Sequence, residues 1–264
     1  MLDDHLFSVE LENWETSIAT ESNRIKLNLF HGTYHKKFKD MRIGQAWLVK
    51  RENDLYLEIV FSKIIKLLEL NDKAIAVDIN ENNVVSGSEK NITNIRTGER
   101  VIRTTYFLKH RKLQSNPRLN EKPLLAKYKG REQRRINIIY HEIANQIITE
   151  AKKAAASTIV LENLSNMRKK RSSKALNGRL NRWSFRNLQN IIDYKAKLAG
   201  LNVKYVDAKD TSSLYPIRRG KLSLNGYRLM ICPKCGLEED REVIAVKNIL
   251  HKYKRDVGAS SVHP

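Results

Sequence analysis

The sequence predicts an α/β protein preceded by a smaller antiparallel β region. Before about residue 72, apolar and polar residues alternate along short segments, which is typical of half-buried strands. After that position, short runs that are apolar on both faces alternate with segments that have apolar residues at helical spacing. An alternation of buried strands and amphipathic helices indicates an α/β layer structure.

The N-terminal region, residues 1–71, contains three predicted strands. Residues 24–30 alternate in polarity, and residues 45–50 and 54–61 flank a polar turn. We therefore expect an antiparallel hairpin within a small β region.

The remainder of the chain alternates between strand and helix. Short apolar runs predict buried strands, and apolar residues at a spacing of three to four predict helices. The predicted strands are 74–79, further β-like sequence around Val84 and Val101, 158–161 and 202–206, and the predicted helices are 136–153 and 188–199.

The composition restricts the class of protein. The 264 residues have a formal charge of +20, and the hydrophobic fraction of 41% is too high for a disordered basic tail. No apolar run is long enough to span a membrane, and no secretory signal is visible. The two cysteines, Cys232 and Cys235, form a single CxxC, which suits a reducing compartment. We expect a cytoplasmic protein with an acidic polymer as its partner.

The positive charge lies in blocks rather than evenly along the chain. Residues 103–135 contain eleven Lys or Arg against two acids, and residues 163–186 contain eight and no acid. The second block predicts a loop that contacts phosphates, although an isolated basic run can also be a solvated surface. Its candidate nucleic-acid-binding residues are Arg168, Lys169, Lys170, Arg171, Lys174, Arg179, Arg182 and Arg186.

Three acids lie at the edges of apolar elements. Asp78 interrupts one buried strand, Glu162 ends another, and Asp240 precedes an amphipathic helical segment. If the two strands are neighbours and the helix packs on them, the carboxylates converge on a site suited to Mg²⁺ or Mn²⁺. Each acid alone also has a structural interpretation, as a turn residue, a salt-bridge partner or a helix cap.

These acids occur in segments that resemble the TnpB/OrfB family. The segments are Ala-Val-Asp78-Ile-Asn, Ile-Val-Leu-Glu162-Asn and Cys232-Pro-Lys-Cys235-Gly-Leu-Glu-Glu-Asp240-Arg-Glu, in the same order and spacing. Members of that family are transposon-encoded, RNA-guided DNA nucleases similar to type V CRISPR effectors. The resemblance covers about residues 15–255.

The resemblance implies a fold and a chemistry. It implies a wedge-like region at 1–71, shortened here, a RuvC-like, ribonuclease H-like domain at 72–210 and 237–256, a zinc-ribbon insert that binds target nucleic acid at 211–236, and a tail at 257–264. It also implies that Asp78, Glu162 and Asp240 hold two Mg²⁺ ions for phosphodiester cleavage. Guide RNA and target DNA are the implied partners.

The sequence departs from the family pattern at three places. The helical recognition region is absent or reduced, and Glu242 stands where Asp is common. Tyr215 and Arg218 stand where the first zinc-binding cysteine pair would be, so only Cys232 and Cys235 remain of the metal site. A closed zinc site needs four ligands, and we therefore expect little or no bound zinc.

Three functional interpretations follow. The first is an active, metal-dependent DNA nuclease, which the retention of all three acids favours. The second is a shortened relative that binds RNA or DNA without cutting, as a transposon remnant or an RNA-guided repressor. The missing N-terminal recognition region and the altered zinc site favour it. The third, a thiol-disulfide enzyme, is disfavoured because the CxxC occurs late in a basic chain.

Overall fold

A computed structural model describes residues 2, 5–115, 121–128, 130–165, 173–216 and 220–260. The chain divides into two units, Met1–Ile65 and Lys66–Pro264. Within the described residues, every helix is too short or too polar to cross a membrane.

The first unit is built from two small antiparallel sheets. Its strands are β1 (Phe7–Glu10), β2 (Glu15–Ala19), β3 (Arg24–Asn28), β4 (Arg42–Arg51) and β5 (Asp54–Ser62). One sheet has the order β1-β2-β3, and β4 and β5 form a hairpin. Phe7, Ile18 and Ala46 are buried where alternating side chains face inward. The predicted strands and hairpin of this region are confirmed.

A five-stranded mixed sheet lies at the centre of the second unit. Its strands are β6 (Ala74–Ile79), β7 (Asn83–Gly87), β8 (Ile92–Arg96), β9 (Thr158–Asn163) and β10 (Asn202–Asp207). The strand order is β10-β9-β6-β7-β8, in which β6, β9 and β10 are parallel and β7 and β8 are antiparallel. Because β6 has neighbours on both sides and helices on both faces, all six of its residues are buried.

Among the described residues, six helices accompany this sheet. They are α1 (Glu99–Gln114), α2 (Glu121–Tyr128), α3 (Arg131–Lys153), α4 (Lys174–Arg182), α5 (Phe185–Leu198) and α6 (Arg241–Ser260). The apolar stripes of α3 and α5 pack on one face of the sheet, where Ile75 and Val77 of β6 contribute to the larger core. The stripe of α6 packs on the other face, against Ala74 and Ala76. The sheet is therefore the middle layer of a mixed α/β fold.

A buried polar network fixes the start of α1 to the core. Glu99 is 1% exposed; it accepts hydrogen bonds from Arg103 Nε (2.5 Å) and from the Tyr140 hydroxyl of α3 (2.5 Å). The Arg103 guanidinium also donates to the Ser184 hydroxyl just before α5 (2.6 Å). This pairing satisfies charges whose burial would otherwise be costly, and it joins three helices.

A small antiparallel sheet precedes α6. Its strands are β11 (Ser223–Asn225), β12 (Leu229–Ile231) and β13 (Glu238–Asp240). An apolar cluster of Leu222, Met230 and Cys232, with Tyr215 and Leu237 partly buried against it, packs on Ile244 of α6. Apolar side chains thus form the interior of this small sheet and attach it to the helix.

Three local predictions differ from the structure. Val101 lies in α1 rather than in a strand, because Thr97 and Gly98 end β8 and start the helix. The predicted loop over 163–186 is helical from Lys174 to Arg182 and again from Phe185. The predicted tail at 257–264 begins within α6, which continues to Ser260.

Candidate active site

The alternation of strand side chains places Asp78 and Glu162 on the same face of the sheet. Positions 74, 76 and 78 of β6 face α6, as do positions 158, 160 and 162 of β9. β6 and β9 are parallel neighbours whose register pairs Val77 with Leu161, so Asp78 and Glu162 follow at adjacent positions. The sequence predicted both strands, and the register brings the two acids together.

Asp78 is buried and electrostatically strained. It is 7% exposed, and the pKa of its carboxyl is raised to about 7, chiefly by burial and also by the neighbouring Glu162 carboxylate. The Asn80 side chain donates to Asp78 Oδ2 (2.8 Å) and, with the charge of Arg241, opposes this rise. Too little positive charge therefore surrounds Asp78, and ionisation of its carboxyl costs free energy in the folded protein.

Glu162 is also a buried carboxylate whose ionised form is destabilised. Its Oε1 atom is buried and has no hydrogen-bond partner among the described residues. Burial raises its pKa, while Thr211 and Lys252 oppose the rise. The Thr211 hydroxyl donates to the Ala208 carbonyl (3.1 Å), and Oε1 of Glu162 has no hydrogen-bond partner among the described residues. An orphaned buried carboxylate oxygen is unusual and indicates a site that a ligand can complete.

Asp240 lies at the end of β13, directly before α6. Its Oδ1 accepts a hydrogen bond from the backbone N–H of Glu242 (2.8 Å), which is the geometry of a helix N-cap. The negative charge of Asp240 also raises the pKa of Asp78, so the two carboxylates are close enough to interact. Asp240 therefore lies within electrostatic range of Asp78.

The donor set fits a hard divalent cation, because it consists of carboxylates and one of their buried oxygens is unpaired. A cation between Asp78 and Glu162 would also remove the mutual repulsion that raises the pKa of Asp78. Among the described residues, no three His, Cys, Asp or Glu side chains are grouped closely enough to hold one ion. Ion binding would thus require the three acids to approach one another further.

Several site residues were missed by sequence reasoning. Asn80 is two residues from Asp78 and could have been noticed as a polar neighbour of a candidate acid. Lys252 of α6 donates to the backbone carbonyl of Asp207 (2.7 Å) and to that of Lys209, and its charge lowers the pKa of Glu162. Its place beside the site depends on how α6 packs, for which the sequence contains no local signal.

The described part of the basic block lies on α4 and at the start of α5. Arg179 pairs with Glu81 (2.5 Å), which lies in the turn that follows the Asp78 strand. Arg182 lies 4.4 Å above the Phe107 ring, and Arg186 donates to the Ser165 carbonyl (3.0 Å). Lys174 is exposed. Arg168, Lys169, Lys170 and Arg171 lie outside the described residues.

The remaining cysteine pair does not form a zinc site with its described neighbours. Cys232 is buried in the apolar cluster, Cys235 is exposed, and no disulfide joins them. Tyr215 packs against that cluster where a thiolate would be needed, and Arg218 lies outside the described residues. Among the described residues, even three ligands of the usual kinds are not grouped there, so these residues do not fit a closed zinc centre.

Comparison with known proteins identifies the family. Residues 185–249 match the family described as Cas12f1-like, TNB domain. A TnpB-like protein of Methanocaldococcus jannaschii is 36% identical over 253 residues, which cover 89% of this chain and 88% of that protein. A TnpB-like protein of Acidianus two-tailed virus is 29% identical over 119 residues, 45% of this chain and 25% of that protein.

Among solved structures, the fold is similar to that of a chain in a CRISPR-Cas12f ternary complex determined by cryo-EM. The TM-score is 0.50 at 17% identity, over 82% of this chain and 47% of that chain. The present chain thus spans about half the length of that structural relative, and the likeness concerns the fold alone. The mixed α/β architecture is Cas12f-like, and the extended identity to the archaeal protein shows that the chain belongs to the family of TnpB-like proteins.

Proposed function

We propose that this protein is a metal-dependent, RNA-guided DNA endonuclease whose second unit is a RuvC-like, ribonuclease H-type nuclease domain. The observation that carries the proposal is the burial of two adjacent carboxylates, Asp78 and Glu162, on one face of the sheet with an oxygen of Glu162 unpaired. Such an arrangement does not stabilise the fold, because burying an unpaired charge costs free energy. Its presence favours a catalytic role.

The three acids have distinct positions in the proposed mechanism. Asp78 and Glu162 would hold Mg²⁺ from the sheet, and Asp240 would hold it from the start of α6. When bound, the ions supply activation of a water molecule and stabilisation of the leaving 3′-oxygen of the phosphodiester. Asn80 orients the Asp78 carboxylate through its hydrogen bond of 2.8 Å. Lys252 keeps positive charge near Glu162.

Nucleic acid would be bound by the basic residues around the site. Lys174, Arg179 and Arg182 lie on one short helix, and Arg179 pairs with the turn that follows the Asp78 strand. This proximity supports a path for a phosphate backbone past the acids. The charge of +20 and the family relationship support guide RNA and target DNA as the partners.

A second candidate function is binding of RNA or DNA without cleavage. One observation favours it: among the described residues, the acids are not grouped closely enough to surround an ion.

The test compares cleavage with binding. The protein is purified with its RNA, and Mg²⁺-dependent cutting of a plasmid matched to that RNA is measured for wild type, Asp78→Asn, Glu162→Gln and Asp240→Asn. We expect each variant to lose cleavage to a similar extent while keeping RNA and DNA binding, because one shared site is lost each time. Glu239→Gln, which removes a partly exposed carboxylate paired with Lys247, is the matched control and should cut normally.

Two results would contradict the nuclease proposal. A variant that cuts at the wild-type rate would exclude that acid from the site. Binding by all proteins with cleavage by none, wild type included, would favour the second candidate.

A further inference from the structure

The chain that leaves β10 is held by α6 before it reaches the small sheet. Its residues 207–214 are called the β10 connection below. Asn248 of α6 donates through its side-chain amide to the backbone carbonyls of Thr211 (2.7 Å) and Leu214 (2.8 Å). Asn248 is 7% exposed, so these hydrogen bonds form away from bulk water. The end of the connection is thereby attached to the helix.

Lys252 holds the start of the same connection. It follows Asn248 by four residues and therefore lies on the same face of the helix. Its ammonium donates to the backbone carbonyls of Asp207 (2.7 Å) and Lys209. Lysine is seldom buried without partners, and Lys252 is only 9% exposed. The carbonyls of the connection and the buried ammonium thus satisfy one another.

The β10 connection begins beside Glu162. The parallel strands β9 and β10 pair Glu162 with Val206, and Val206 belongs to the apolar cluster that packs on α6. Thr211 is 4% exposed. Thr211 and Lys252 both lower the pKa of Glu162, which indicates that both lie close to its carboxylate. The groups that α6 holds in the connection are therefore also neighbours of this acid.

We propose that Asn248 and Lys252 are positioning residues, which hold the β10 connection against α6 and thereby set the orientation of the Glu162 side chain. One oxygen of this carboxylate has no hydrogen-bond partner among the described residues, so its orientation depends on the groups packed around it. The part of this inference that concerns metal chemistry rests on the proposed function. The contacts themselves do not, and they can be tested in the metal-free protein.

The experiment is NMR of the metal-free full chain at one fixed pH, with three measurements. The first is the ¹³C resonance of each backbone carbonyl that accepts from α6, because this resonance depends on the hydrogen bond. The second is the carboxyl ¹³C resonance of Glu162, assigned by its loss in Glu162→Gln. The third is hydrogen exchange at the amide of Leu222, which donates to the Ser213 carbonyl of the connection (2.9 Å).

Asn248→Ala is the decisive variant because it removes two hydrogen bonds without changing any charge. We expect the carbonyl resonances of Thr211 and Leu214 to shift. Exchange at Leu222 should be faster by about tenfold, as for loss of one buried hydrogen bond. The Glu162 resonance should shift as well, since the connection beside it is no longer held.

Three further variants make the result specific. Lys252→Met keeps the length of the side chain without its ammonium, and it should shift the carbonyl resonances of Asp207 and Lys209. Lys252→Arg restores donors and positive charge and should return these resonances toward their wild-type positions. Lys254→Met breaks an exposed pair with Glu89 on the same helix and should change none of the three measurements.

The inference is overturned if Asn248→Ala shifts its two carbonyl resonances but leaves Glu162 at its wild-type position, because the connection would then not orient the acid. It is also overturned if neither Asn248→Ala nor Lys252→Met changes the carbonyl resonances or the exchange. If Lys252→Met does not fold, Asn248→Ala decides by the same criterion. Absence of DNA cleavage by the wild type would refute the proposed function and leave these measurements decisive for the two positioning residues.

Discussion

Replacing Asp78 by Asn should stabilise the metal-free protein while removing its proposed activity. The ordinary pKa of the side chain is 3.8, and burial together with Glu162 raises the pKa of Asp78 to about 7. Because the folded state binds the proton more tightly than the unfolded state, stability falls as the pH rises from about 4 through about 7. The Asn side chain removes this dependence and can still accept the hydrogen bond from Asn80.

The expected size follows from the pKa values. Each pH unit between the ordinary value and about 7 corresponds to about 1.4 kcal/mol, so ionised Asp78 costs at most about 4 kcal/mol above pH 7. Asn is neutral but still polar and buried, and we therefore expect a gain of about 2–3 kcal/mol at pH 8. The gain should decrease toward zero as the pH falls below about 4, where the carboxyl of the wild type becomes protonated in the unfolded state as well.

Urea unfolding with a chelator present, followed by the fluorescence of the buried Trp183, measures this difference in the second unit. The control is Glu89→Gln, which changes a carboxylate that is 62% exposed and should alter stability by less than about 0.5 kcal/mol. Added Mg²⁺ should stabilise the wild type more than the variant. A variant that is less stable than wild type, or a difference that does not change with pH, would refute the reasoning.

Three further predictions concern the core, the cysteines and the basic helix. Tyr140→Phe leaves the buried Glu99 carboxylate without one donor and should destabilise the second unit by about 1.5–3 kcal/mol in urea; a loss below about 0.5 kcal/mol would contradict this. Elemental analysis of protein prepared without chelator should find less than one zinc per chain, whereas one tightly held zinc would show that the ligands are misassigned. Glu81→Gln frees Arg179 from its ion pair and should tighten DNA binding most at low salt, as measured by fluorescence anisotropy; weaker binding would mean that the pair orders the binding surface.

The central strands could be predicted because their residues are almost all apolar. Residues 74–79 and 158–161 are apolar on both faces, which only a strand covered on both sides requires, and the structure places both at the middle of the sheet. The adjacency of Asp78 and Glu162 is a different matter. It depends on the register of two strands separated by about 80 residues. From the sequence, the two carboxylates are expected to converge only if these strands are neighbours.

The parts that were mispredicted depend on contacts remote in sequence. The sequence around Val101 is β-like, but the segment is helical. The buried Glu99 accepts a hydrogen bond from Tyr140 of α3, and the buried Arg103 donates to Ser184 just before α5. Glu242 was noted only as a conservative change from Asp. Its contacts with Asn83 and Arg228 require elements that are far apart along the chain to meet, and no local pattern indicates such a meeting.

The proposed function requires that Asp78, Glu162 and Asp240 form one metal-binding site, and direct metal titration tests this requirement without measuring cleavage. Electron paramagnetic resonance of Mn²⁺ counts the free ion as protein is added. We predict two tightly bound ions per wild-type chain, and loss of tight binding in each of Asp78→Asn, Glu162→Gln and Asp240→Asn, with Glu239→Gln unchanged. Wild-type protein that binds no Mn²⁺, or single variants that bind as the wild type does, would contradict the account.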